Sequence, residues 1–160
     1  MGITQSGNVT PSHLASWYTD GVLGDAGVTF TNTYGLFAYS KKQINFNAAN
    51  SDNPLLINLP LGYTRYRVEK ILISNATATL TTATCGVFTQ TGAAGLGVVA
   101  GSTSVTVSQP VDDTNANMQS LTIVNQNTMS LIDTTLYFRV QTAQGSAALA
   151  DVTIFYQPLP

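Results

Sequence analysis

Leu136-Tyr137-Phe138-Arg139-Val140-Gln141 alternates without a break. Leu136, Phe138 and Val140 fall on one side of an extended chain; Tyr137, Arg139 and Gln141 fall on the other. Successive side chains of a strand point to opposite faces, so this stretch predicts a strand with one face in a core and the other facing water or a neighbour. The pattern recurs on both sides of it. Val152, Ile154 and Tyr156 oppose Asp151, Thr153 and Phe155, and Val105 and Val107 oppose Thr106. Within residues 63–74, Tyr66 and Val68 share one face while Arg65, Arg67 and Glu69 share the other.

Runs of this kind occupy residues 55–59, 63–74, 79–89, 96–100, 102–108, 120–125, 136–142 and 150–157. Turn-forming groups separate them, among them Pro60-Leu61-Gly62, Gly92-Ala93-Ala94-Gly95 and Asp112-Asp113-Thr114-Asn115. About eight short strands with no helices between them predict an all-β, antiparallel β-sandwich. Jelly-roll-like and immunoglobulin-like topologies remain open at this point.

Residues 1–53 differ from the rest. Glycines, Asn and Thr are frequent, and the apolar residues come in short groups such as Leu36-Phe37-Ala38-Tyr39. Thr10-Pro11-Ser12-His13 fits the start of one helical turn, with Thr10 as N-cap and Pro11 in the first position. The segment is expected to be an extended arm, hinged at 47–54 and followed by a sandwich over 54–160.

The chain has 160 residues and 9% charged side chains, with a formal net charge of −2. An average soluble domain carries about 25% charged residues. A surface so poor in charge is either covered by neighbours or kept in solution by hydroxyls and amides alone. No stripe of Lys or Arg exists, so the electrostatic footprint of nucleic-acid binding is absent. No apolar run of about 18 residues predicts a membrane helix, and no secretory leader is expected.

The residues that carry chemistry are few. The single cysteine, Cys85, shares a strand face with Val87 and is expected to be a buried, inert thiol. His13 is the only histidine, so a nucleophile–histidine pair has no obvious second member. Residues 113–117 imitate half a calcium loop, but Met118 stands where the glycine belongs and Val124 where the glutamate belongs. Gly92-Ala93-Ala94-Gly95-Leu96-Gly97 lacks the lysine of a phosphate loop. No cofactor, no metal and no catalytic residue is expected, and the chain is expected not to be an enzyme. Arg65, Arg67, Tyr137 and Arg139 lie on outward strand faces. They suit cross-strand pairs or contacts between subunits, where Arg and Tyr are enriched.

One segment carries a more specific signal. Gly7-Asn8-Val9-Thr10-Pro11-Ser12-His13-Leu14-Ala15-Ser16-Trp17-Tyr18-Thr19-Asp20-Gly21-Val22 resembles an N-terminal segment of tailed-phage virion proteins, including fibre and head-decoration proteins. The shared pattern is Gly-x-Val-Thr-x-x-His-x-Ala-x-Trp-x-Thr-Asp-Gly-Val. Leu59-Pro60-Leu61-Gly62-Tyr63 and the residues after it are similar, more loosely, to small phage-encoded sandwich proteins. The resemblance implies a bacteriophage virion component made in the bacterial cytoplasm, attached through the arm to the major capsid protein or another virion protein.

A single compact domain favours a capsid cement (decoration) protein or short head fibre, and a homo-oligomer, a trimer above all. Val9, His13, Leu14, Trp17, Tyr18 and Val22 are the expected anchors, because large apolar and aromatic side chains dominate interface energetics. The competing expectations are that Trp17 packs beneath its own sandwich, that the protein is a fibre module binding a host glycan through Tyr63 or Tyr137, and that a carboxylate pair acts on glycans.

Overall fold

The computed structural model describes residues 13–17 and 23–29 as backbone, and residues 35–109, 117–124 and 130–159 with their side chains. The chain divides into two units, residues 1–35 with Pro160 and residues 36–159. In the first, β1 (His13–Trp17) pairs antiparallel with β2 (Leu23–Thr29). Residues 13–17 are thus extended, and the helical turn expected to run on from Thr10 does not include them. The ladder to β2 supplies the backbone partners that a lone turn lacks.

The second unit is an antiparallel β-sandwich. Its strands are β3 (Phe37–Asn45), β4 (Ser51–Leu56), β5 (Arg65–Ser74), β6 (Thr84–Phe88), β7 (Gly97–Ser104), β8 (Met118–Ser120), β9 (Thr135–Thr142) and β10 (Leu149–Leu159). One sheet has the order β3-β10-β5-β8 and the other β4-β9-β6-β7. The pairing is nested: β3 with β10, β4 with β9, β5 with β8, and β6 with β7. The first strand thus meets the last, and so on inward, while successive pairs alternate between sheets. This is a long hairpin rolled into two layers, a jelly roll, and it settles the choice of topology that the sequence leaves open.

The arm was expected to reach residue 53. Instead β3 and the start of β4 are strands of the sandwich, so the compact unit begins at Leu36. The expected hinge is a turn and the first half of β4. Residues 96–100 and 102–108, read as two strands, are largely one, since β7 runs through Gly101. Residues 118–124 cross between the layers: Ser120 pairs with Leu72 in one sheet, and Ile123 bridges Val99 in the other.

The alternating residues form the core. Leu136, Phe138 and Val140 of one sheet and Val152, Ile154 and Tyr156 of the other are all buried. Burial of a Val, Leu or Ile is worth about 1.5–3 kcal/mol, and a one-residue slip would turn a strand's whole apolar set outward. That penalty fixes the register. In β5 the inward set changes from Tyr66 and Val68 to Ile71 and Ile73. A bulge makes the change: Phe155 stands opposite Lys70 and Tyr156 opposite Val68, so Glu69 is the inserted residue. Phe46 and Phe138 meet edge-on at 5.7 Å, as do Tyr66 and Tyr156.

Candidate functional site

The connecting residues 57–64, 89–96, 121–124 and 130–134 lie at one end of the sandwich. Strand β3 begins and β10 finishes at that end. Of the large apolar side chains exposed among the described residues, Leu36, Phe37, Leu56, Leu61, Leu96 and Ile132 lie there, and only Met118 lies at the other end. Leu61 is fully exposed at the tip of a turn in which the Tyr63 amide donates to the Pro60 carbonyl at 3.1 Å. Gly62 has φ +92°, the left-handed position that a type II turn requires.

A shallow, open depression of about 420 Å³ lies at this end, lined by Thr89, Ile132, Asp133, Thr134, Thr135 and Tyr137. Backbone bonds set its floor. The Tyr66 amide donates to the Leu131 carbonyl at 3.0 Å, the Tyr66 hydroxyl to the Asp133 carbonyl at 2.8 Å, and the Ile57 amide to the Thr134 carbonyl at 2.9 Å. These bonds hold the carbonyls inward, leaving Ile132 65% exposed. Tyr137 is on the outer face of β9, level with Pro54 on β4 and Phe88 on β6. The Thr89 hydroxyl accepts the Leu96 amide at 3.0 Å, which ties the 89–96 loop to the wall of the depression. Burial, then the Asp133 charge, then Tyr156 raise the Tyr66 hydroxyl pKa well above its ordinary value, so it stays a neutral donor.

The expected contact residues fall into different settings. Arg139 donates to Asp52 at 2.9 Å and to Asn50 at 3.0 Å, and the other Asp52 oxygen accepts the Gly92 amide at 2.9 Å. This network pins the 89–96 loop across the outer face and engages Arg139 within its own chain. Arg67 pairs with Glu69 at 2.6 Å along the same strand and reaches Gln157 on β10 at 3.1 Å. The ion pair therefore runs along β5, and a bond from the charged guanidinium to the neutral Gln157 amide spans the strands. Arg65 is exposed, with Ser130 at 3.4 Å. Tyr137 alone of the four lines the depression. His13, Leu14 and Trp17 are placed only as backbone of β1, and Val9, Tyr18 and Val22 lie outside the described residues. The loop at 113–116, half of the imitated calcium site, is also outside them.

Cys85 is buried, and burial pushes its thiol up to about 12, which keeps it protonated and unreactive. Among the described residues no three His, Cys, Asp or Glu side chains gather as metal ligands. The depression offers an aromatic ring, one carboxylate and four hydroxyls, that of Tyr137 included. Sequence reasoning found Tyr137 but missed Thr135 at the start of β9 and Ile132, Asp133, Thr134 and Thr89, which come from connections without periodicity. Comparison with protein-family models and with curated sequences gives no match for this chain.

Proposed function

We propose that the protein is a structural virion component of the head-decoration type, held on a phage shell by its N-terminal segment. The observation that carries this is the pairing of the 7–22 motif with a self-contained jelly roll: the motif belongs to the first unit and the core to residues 36–159. A two-stranded ribbon is marginally stable alone, so β1 and β2 gain most from a partner surface. Jelly rolls recur in capsid and lectin domains, an analogy of fold that leaves function to the site.

The low charge fits a chain that works among close neighbours. A trimer presenting three arms would bind cooperatively even if each arm is weak, because the first contact raises the local concentration of the others. Trp17, Tyr18, Leu14 and Val22 anchor each arm.

Mixing the purified chain with shells that lack it, followed by sedimentation, tests this. The full chain is expected to co-sediment to saturation. Trp17→Ala should weaken binding by about tenfold or more, and residues 36–159 alone should remain in the supernatant. Binding by the 36–159 fragment as tight as by the whole chain would contradict the arm's role.

A further inference from the structure

We infer that the loop end of the sandwich is a second contact surface, laid on the same protein shell that the first unit grips. The inference rests on the attachment function proposed above and adds which way the sandwich faces. Leu61 and Ile132 are its most exposed apolar side chains. Polarity separates the two ends. Leu36 and Phe37 at the start of β3, Leu56 at the end of β4, Leu61, Leu96 and Ile132 come from five separate segments and are all exposed at the loop end. At the opposite end Met118 is the one exposed large apolar side chain among the described residues, and the turns there carry polar residues such as Asn47, Thr82 and Ser146. Charge is distributed the other way. The ion pairs Lys42–Asp151, Arg67–Glu69 and Arg139–Asp52 lie along the strands, whereas Asp133 is the one charged residue in the connecting residues 57–64, 89–96, 121–124 and 130–134. The centre of a protein interface is depleted of charge in the same way.

Single exposed leucines are ordinary on a protein surface, so polarity alone does not name the occupant. The covalent tether does. Seven peptide steps lead from Thr29, the last residue of β2, to Leu36, the first residue of the sandwich unit. Their reach is at most about 25 Å. Strand β10, with 11 residues and its last at the loop end, runs about 35 Å. A shell that holds β2 therefore has the loop end beside it and the polar end away from it. Once the first unit is bound, the short tether holds the loop end at the shell at an effective concentration of about millimolar, so individually weak apolar contacts add to the binding. The shell surface opposite Leu61 and Ile132 is accordingly apolar and poor in charge. With no Lys or Arg in these connections, neither a nucleic acid nor an anionic membrane is favoured in its place.

The test adds variants of the full chain to the sedimentation with shells described above. Leu61→Asp and Ile132→Asp each place a charge where an apolar contact is expected. Each should weaken binding by about tenfold, and the double variant should weaken it further. Both side chains are exposed, so the urea midpoints should match the parent's. Met118→Asp, at the opposite end, should bind as the parent does. Parent affinity in the double variant, with Trp17→Ala weakened, would overturn the loop-end contact and leave the arm's role standing. A weakened double variant beside an unaffected Trp17→Ala would uphold the loop-end contact and refute the arm. Equal weakening by Met118→Asp, or no binding by the full chain, would overturn the inference. So would an oligomer that the double variant dissociates in the absence of shells, measured by light scattering, since a second copy would then cover this end.

Discussion

Asp151 is the only charged residue that is buried among the described residues, and three donors hold it. Lys42 approaches one carboxylate oxygen at 2.9 Å, Asn75 donates to the same oxygen at 2.9 Å, and the Gln43 amide donates to the other at 3.0 Å. The backbone makes this possible. Ile44 stands opposite Ala150 and Lys41 opposite Val152, so Lys42 and Gln43 together face Asp151 in a bulge, with Gln43 at φ +54°. The bulge takes the Gln43 amide out of the ladder and the carboxylate accepts it. Burial raises the carboxyl pKa, but the bonds from Asn75, Lys42 and Gln43, with the Lys42 charge, outweigh it and hold Asp151 below its ordinary value.

The folded state therefore binds fewer protons at Asp151 than the unfolded chain does. This contribution is complete above the ordinary carboxylate pKa of about 3.9 and is lost as pH falls through the lowered folded value. Asp151→Ala should cost about 1.5–3 kcal/mol in urea unfolding at pH 7, a deficit that shrinks toward pH 2. Lys42→Ala should cost under about 1 kcal/mol, since its side chain is 64% exposed. An Asp151→Ala deficit independent of pH would show that packing, not charge, is what Asp151 contributes.

At the scale of elements, β6 and β7 come close through glycines. A Cβ on Gly86 would sit 2.7 Å from the Phe88 ring and 3.1 Å from the Gly101 Cα. The Phe88 ring lies over Gly86, which is how an aromatic side chain on an outer face becomes almost fully buried. Gly86→Ala should therefore destabilise the sandwich by about 1–3 kcal/mol through overpacking. Adding Phe88→Leu should recover part of the loss by freeing the ring position, leaving the part due to Gly101. Equal stability of Gly86→Ala and the parent in urea would refute this packing.

The same scale explains what the sequence conceals. Strands β5, β9 and β10 are interior and bury a full face, so their alternation is plain. Strand β3 is an edge strand whose buried set is close to Ile44 alone, with Tyr39 partly covered, and its two lysines protect the edge. Strand β4 is also an edge and carries Pro54, which an edge tolerates because it needs no outward N–H. Ser51-Asp52-Asn53-Pro54 consequently looks like a hinge. The depression is concealed for another reason: Thr89 and residues 132–135 are distant in sequence, and only the rolled hairpin brings them together.

For the whole molecule, nested pairing joins the first strand of the sandwich to the last, so the two sheets close on each other within residues 36–159. The all-β class was legible from period-two alternation, while the jelly-roll order was not, because alternation reports faces and not neighbours. The proposed function divides the work between a sandwich with apolar side chains at its loop end and an N-terminal segment whose motif resembles one in phage virion proteins. The most direct test of that division is copy number in intact particles, measured by quantitative mass spectrometry against the major shell protein. A decoration protein is expected at a fixed, symmetric ratio to the shell subunit, covering the head. A few copies per particle, as at a tail or single vertex, would contradict the decoration role.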